Sequence, residues 1–272
     1  MLGGACLDGD PRLRADNANE SWPAIPAMLR ALSELPSPWE NIFGPLRSGR
    51  IDRLVVIGQV GQSLDGRIAT TTGRSRYING SAGLAHLHRL RAVVDAVVVG
   101  VGSAITDDPQ LTVRHVAGPD PARVVIDPRG RLGSTARLFA DDGVRRIVVT
   151  ARGARCEPRG VEVLALPATD GFIAPAAILS GLAGIGLRRV LVEGGPDTLS
   201  RFLAAGCLDR LHVVVAPIIL GDGPSGFSLG QIDHLDQALR PPTFIHSLDG
   251  EVLFDCDLSA RRAPIGDAKK SM

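Results

Sequence analysis

Residues 97–114 read VVVGVGSAITDDPQLTVR: a buried-strand run enters a glycine turn at Gly100 and Gly102 and continues into a paired Asp, a Pro and an Arg. A strand ending in glycines leaves backbone open at the edge of a sheet, where α/β proteins bind phosphorylated ligands. The stretch therefore predicts an α/β protein with a cofactor site. Runs of the same kind surround it: RLVVIGQV from Arg53, ARVVID from Ala122, RRIVVTA from Arg145, VEVLAL from Val161, RRVLVE from Arg188 and LHVVVAP from Leu211. They are continuous and Val-rich rather than alternating, the pattern of strands buried on both faces in a mostly parallel, twisted sheet flanked by helices. SAGLAHLHRLRAVV predicts a helix with Ser81 as N-cap and Leu84, Leu87, Leu90 or Arg91, and Val94 at helical spacing. Further helices are expected near residues 172–182 and 197–205. In FIHSLDGEVLFDCDL, Asp249-Gly250 between two strand-like runs predicts a C-terminal antiparallel hairpin.

The chain of 272 residues suffices for one large domain and an appendage. Residues 1–50 are expected to be a proline-rich extension, residues 51–260 the main domain and residues 261–272 a tail. The extension carries Pro11, Pro23, Pro26, Pro36, Pro38 and Pro45, so it is expected to hold no core of its own. Trp22 and Trp39 argue that it docks on the main domain or on a partner. A net charge of +1 gives no footprint for nucleic acid or an anionic membrane. No apolar run approaches a bilayer span and the start MLGGACLDGD lacks a signal pattern, so a cytoplasmic location is expected. Cys6, Cys156, Cys207 and Cys256 are scattered without metal or disulfide spacing, and His86 and His88 are expected to be solvated or rim residues. The only lysines are Lys269 and Lys270, which excludes P-loop and Schiff-base chemistry from the body of the chain.

Four loops offer chemistry. GQSLDGRIA, from Gly61, turns at Asp65-Gly66 and reads either as a plain turn or as part of a site. GRSRYINGS holds the single tyrosine, Tyr77, which suits stacking on a flat heterocycle or simple packing. In the opening stretch, Ser103, Asp107 and Asp108 follow the glycines and precede Arg114; the carboxylates suit a ribose hydroxyl or pyrimidine amine, or else a helix stop. In VLVEGGPDTLSRFL, Glu193 ends a strand and Gly194-Gly195 open a helix near Asp197, an arrangement that attracts a pyrophosphate.

Taken in order, SLDGRIA, GRSRYI, LRAVVDAVVVGVGSAITDDPQLTVR, PARVVID, LVEGGPDTL and DRLHVVVAPIILG resemble the reductase domain of the bifunctional riboflavin-biosynthesis deaminase-reductase, a dihydrofolate reductase-like family. The resemblance spans roughly residues 53–257. It implies NADPH-dependent reduction of the ribosyl group of a (di)amino-ribosylamino-pyrimidine 5′-phosphate to ribityl, with hydride attacking the sugar carbon of a ring-opened imine and no metal required. It also implies a homodimer. By motif, the substrate would meet Ser75, Arg91, Leu111 through its backbone, Arg114 and Glu193, with Glu193 also assisting proton movement as the catalytic residue. The cofactor would lie along Gly61, Tyr77, Ser103, Asp107, Gly194, Gly195, Pro196, Asp197, Thr198 and Leu199. Arg129, Arg131 and Arg152 follow strand ends, where one of them suits the 2′-phosphate of NADPH or else all are simply solvated. The family commonly has Trp at the position of Tyr77.

Gln59 stands where the family usually has Lys, which loosens the substrate assignment. H-x-E and P-C-x-x-C are missing, so a zinc deaminase is expected on a separate protein. The alternatives are a reductase of another heterocycle such as a dihydropterin, and a non-catalytic nucleotide-binding paralogue.

Overall fold

The computed structural model describes residues 20–49, 51–75, 78–155, 158–193 and 195–265, so Tyr77, Gly194, Cys6 and Cys156 lie outside the described residues. The chain divides into two compact units, Met1–Ser48 and Gly49–Met272. In the first, short helices α1 (Ile25–Arg30) and α2 (Trp39–Phe43) bring Trp22, Trp39 and Phe43 together at ring-centroid distances of 5.2 to 5.8 Å. The Trp39 indole donates to Ser21 Oγ at 2.9 Å. This extension thus holds an aromatic cluster of its own, contrary to the expectation: three large rings supply in few residues the contact area that the prolines seemed to deny.

The second unit is built on one nine-stranded sheet in the order β5-β4-β3-β2-β6-β1-β7-β9-β8. The strands are β1 (Val55–Ser63), β2 (Ala96–Gly100), β3 (Ala122–Ile126), β4 (Arg146–Ala151), β5 (Glu162–Leu166), β6 (Arg189–Glu193), β7 (Arg210–Ala216), β8 (Thr243–Leu248) and β9 (Glu251–Asp257). β1 to β7 run parallel, and the hairpin β8–β9 adds two antiparallel strands beyond β7. Asp249 and Gly250 both take positive φ, as a two-residue hairpin turn requires. All seven runs read as parallel strands are strands, but β5 is the sheet edge and is largely exposed, not buried on both faces. Nor does Val99 run into a glycine turn: β2 passes directly into helix α4 (Val101–Asp107), which Asp108 ends in the left-handed conformation.

Because side chains alternate along a strand, the registered sheet has two distinct faces. Val56 and Val60 of β1, Val98 of β2, Val124 of β3, and Val190 and Val192 of β6 share one face with Leu179 and Leu182 of α5 (Pro175–Gly184) and Leu199 and Phe202 of α6 (Pro196–Ala204). On the other, Gln59 stands beside Glu193 and His212, and His212 beside Asp255. Helix α3 (Ser81–Val93) packs there, with His86 Nε2 3.0 Å from His212 Nδ1. His212 Nε2 lies 3.1 Å from Asp255 Oδ1, and Arg210 Nε donates to the same oxygen at 2.8 Å. Two expectations fail here. Ser81 does not cap α3: its start is held by Glu251 of β9, whose carboxylate accepts the Gly80 and Gly83 amides at 3.0 and 2.7 Å. And His86 and His88 are buried, at 1% and 2% exposure, because their partners come from distant strands and loops.

Candidate active site

A cavity of about 620 Å³ opens at the carboxyl ends of β2, β3 and β6. Its floor includes Gly100, Ile126 and Ile178, and its walls carry Ser75, Ser103, Asp107, Gly195, Pro196, Asp197 and Thr198. The carboxyl ends of parallel strands gather loops and helix starts, so this is where an open α/β sheet takes a ligand. The backbone comes close: a Cβ on Gly100 would lie 2.3 Å from Thr198 Oγ1, and one on Gly195, at φ +65°, would lie 2.6 Å from Ser103 Oγ. The nine-residue α6 starts at Pro196 with no side chain capping it, so its first-turn amides and dipole face the cavity side. Asp197 does not compete for that positive end, since Arg201 holds its carboxylate at 2.9 and 3.0 Å. Arg129 and Arg131 join the opposite rim.

A second group of polar residues forms around the end of β6. Arg91 Nε donates to Glu193 Oε1 at 2.8 Å, Nη2 to Oε2, and Nη1 to the Thr112 carbonyl at 2.8 Å. Both partners are buried. Burial would lower the Arg91 pKa, but the adjacent Glu193 carboxylate outweighs it and raises it. Arg114 is exposed; its Nη1 donates to Gln110 Oε1 at 2.9 Å and to Thr112 Oγ1 at 2.7 Å. That leaves the Nε and Nη2 edge of its fork without a hydrogen-bond partner among the described residues. Burial, then Arg91 and Arg137, push its pKa down, the mark of a locally positive site that suits an anion.

Not every residue assigned from the sequence meets at these two places. Gly61 is not on the cavity wall; the space a Cβ would need there is filled by Asn79, whose Oδ1 would lie 1.8 Å away. Leu199 sits in the apolar core against Gly58, and its amide is bonded to the Gly195 carbonyl. Leu111 is buried with φ 58°. Arg152 is off the cavity wall. Asp65 ties its turn to a distant loop: its carboxylate accepts Ser63 Oγ at 2.6 Å and the Leu220 and Gly221 amides at 3.1 and 2.7 Å, and the bond from Ser63 leads in holding its pKa at about 2. Asp108 accepts the Arg137 amide at 2.8 Å, which accounts for the second Asp of the pair as a loop tie.

A profile of the RibD C-terminal domain matches residues 55–251. The chain belongs to the RibD C-terminal domain family. The riboflavin biosynthesis protein RibD of Aquifex aeolicus is 37% identical over 184 residues, covering 66% of this chain and 50% of that protein. The 2,5-diamino-6-ribosylamino-4(3H)-pyrimidinone 5′-phosphate reductase of Methanothermobacter thermautotrophicus is 34% identical over 198 residues, covering 69% of this chain and 90% of that one. The chain therefore spans about half the length of the Aquifex relative and nearly all of the Methanothermobacter one. Among solved structures, the Thermotoga maritima diaminohydroxyphosphoribosylaminopyrimidine deaminase/5-amino-6-(5-phosphoribosylamino)uracil reductase superposes with a TM-score of 0.66 at 30% identity, covering 75% of this chain and 56% of that chain. The dihydrofolate reductase-like fold expected from the resemblance is the fold observed.

Within this RibD-type domain, the sequence reading missed the buried polar residues that support the site. His88 accepts the Arg114 amide on Nδ1 at 2.9 Å. Asn79 donates to Glu251 Oε1 at 2.8 Å and so joins the helix cap. The signal for His88 is its spacing from Arg91, one helical turn, which sets both side chains toward the same loop. Among the described residues, no cluster of His, Cys, Asp and Glu could hold a metal ion, and no helix is long and apolar enough to cross a membrane.

Proposed function

We propose that this chain is an NADPH-dependent reductase that converts the ribosyl group of a (di)amino-ribosylamino-pyrimidine 5′-phosphate to ribityl in riboflavin biosynthesis. The observation that carries the reading is the cavity at the ends of β2, β3 and β6, where Ser75, Ser103, Asp107 and the Gly195–Thr198 helix start converge from distant parts of the chain. Relatives named for the same reduction support it.

The residues present fit a dinucleotide. The cavity volume lies within the range of about 300–1,000 Å³ usual for such ligands. Gly195 and Gly100 bring backbone close to the helix start, where a pyrophosphate is favoured. Arg129 and Arg131 on the rim suit a 2′-phosphate, which favours NADPH over NADH. When bound, NADPH supplies the hydride. The chain's own residues orient the substrate. Arg114 offers its open edge to the phosphate, while Arg91 is occupied in holding Glu193 and Thr112 rather than free to grip the phosphate as a second fork. Glu193, at the carboxyl end of β6, binds the sugar or pyrimidine and manages the proton. Gln59 lies next to it in register and contributes a neutral amide where a Lys would bring charge.

A homodimer belongs to the same reading. β7 is interior, and of the two sheet edges, β5 and β8, it is β8 that lies beyond β7 and exposes Phe244 and Ile245. Sedimentation equilibrium checks this.

The deciding experiment follows NADPH oxidation with the phosphorylated ribosylaminopyrimidines, with dihydrofolate in parallel. Turnover on the phosphorylated pyrimidine is expected. Turnover on dihydrofolate alone would move the protein to pterin chemistry, and NADPH binding without turnover on either would make it a non-catalytic paralogue. Arg114→Ala should raise KM for the phosphorylated substrate and spare the dephosphorylated analogue. Glu193→Gln should lower turnover while NADPH still binds.

A further inference from the structure

We propose that His88 is a positioning residue that sets the segment 110–114 so that Arg114 meets the substrate phosphate; this rests on the phosphate role given to Arg114 above. The segment follows Pro109 and has no secondary structure of its own. Leu111 within it is buried and holds φ 58°, a backbone conformation that a Leu keeps only where its surroundings over-determine it. Three side chains supply that constraint. His88 Nδ1 accepts the Arg114 amide at 2.9 Å, Arg91 Nη1 donates to the Thr112 carbonyl at 2.8 Å, and Asp120 Oδ1 accepts the Val113 amide at 2.5 Å.

Two of the three come from one side of α3, a single turn apart, so the helix grips the loop at alternate residues. His88 is the one that acts on Arg114 itself. With the Arg114 amide fixed, its Nη1 reaches Gln110 and Thr112, and the open edge of the guanidinium is held in one direction. The His88 ring is itself fixed edge-on against His115, at 4.6 Å between centroids. Burial, followed by Arg91, His115 and Arg114, lowers the His88 pKa to about 3. The imidazole is therefore neutral at working pH, with its proton on Nε2 and the Nδ1 lone pair always available. An oriented cation binds an anion without first having to be ordered, which is where the affinity comes from.

The test compares the wild type, His88→Ala and His88→Asn, because the Asn side-chain oxygen can reach the same amide that Nδ1 reaches. Titration calorimetry gives the affinity for ribose 5-phosphate relative to ribose, and amide hydrogen exchange by NMR reads the protection of the Arg114 N–H in the free protein. The expected result for His88→Ala is a loss of about tenfold in phosphate preference and a similar loss of protection, as follows from removing one acceptor. His88→Asn should restore both. Unchanged preference in His88→Ala overturns the proposal, as does loss that Asn fails to restore, which would make the ring a packing residue only. Should the wild type itself bind ribose 5-phosphate no better than ribose, the phosphate role of Arg114 falls and the proposal with it. In that case persistent protection of the Arg114 amide would show that the failure lies in the reading of the ligand and not in the clamp.

Discussion

The two faces of the sheet both bury apolar side chains, but the mix of groups they bury differs. On one, Val56, Val98, Val190 and Val192 meet Leu182, Leu199 and Phe202 in an apolar cluster that seats α5 and α6 on the sheet. On the other lie buried Gln59, Glu193, His212, Asp255 and Arg210, and α3 brings His86 to His212 and Arg91 to Glu193 while His88 reaches the loop at Arg114. Apolar contact tolerates small shifts. A buried ion pair or hydrogen-bonded histidine does not, since each group left without its partner is costly in a low-dielectric interior. The face under α3 is therefore the one suited to hold side chains at fixed positions, and the residues nearest Glu193 and Arg114 lie on it.

The sharpest break would be Asp255→Ala, which takes the carboxylate from His212 and leaves Arg210 only Asp257 at 3.4 Å among the described residues, and should cost about 3–5 kcal/mol by urea denaturation. A loss below about 1 kcal/mol would mean that water replaces the carboxylate and that the two faces do not differ in this way. Leu182→Ala on the apolar face should cost about 3 kcal/mol. The pH dependence should separate the two. His212 and Arg210 hold the Asp255 pKa at about 2 against the desolvation that would raise it. Its contribution is complete above about 4, the unfolded carboxylate value, and disappears as pH falls through about 2. The Leu182 contribution should not change across that window.

Glu251→Ala should cost about 1–2 kcal/mol, as loss of a helix cap does, and free the amides of Gly80 and Gly83 to exchange. The buried histidines add a gentler acid effect. Burial lowers the pKa of both His86 and His88, so below pH 6.5 the unfolded chain binds protons that the folded one refuses, and stability falls with pH. Replacing His86 with Leu should flatten the decline in Tm between pH 6.5 and 4; an unaltered slope would place the acid sensitivity elsewhere. Smallest of all, Val163→Thr on the exposed edge strand β5 should stay within about 0.5 kcal/mol, since neither face of the core depends on it.

The strands were legible because the central ones are covered on both sides, and a run such as Val97 to Val99 has no other stable use. The helix starting at Pro196 was legible from the glycines before it. The polar face was not. His212 and Asp255 sit inside strand-like runs and Gln59 stood out only through the family resemblance, and only the register of β1, β7 and β9 sets them side by side. His86 gave no sign of burial because its partner, His212, is 126 residues away. Ser75, Ser103, Asp107 and Pro196 to Thr198 were named from motifs and lie on the cavity wall, whereas the role of His88 depends on an amide in a loop whose path no local pattern predicts.

The cap on α3 also dictates an order of events. Glu251 reaches Gly80 and Gly83 across separations of 171 and 168 residues, so the start of this helix has no partner for its amides until the final hairpin has been synthesised and docked. Contacts between such distant segments slow folding, because the intervening chain must be closed before they form. On the ribosome, α3 and the polar face beneath it are thus secured late, and a chain stopped before residue 251 would leave its site unfinished and the apolar cluster without Leu258.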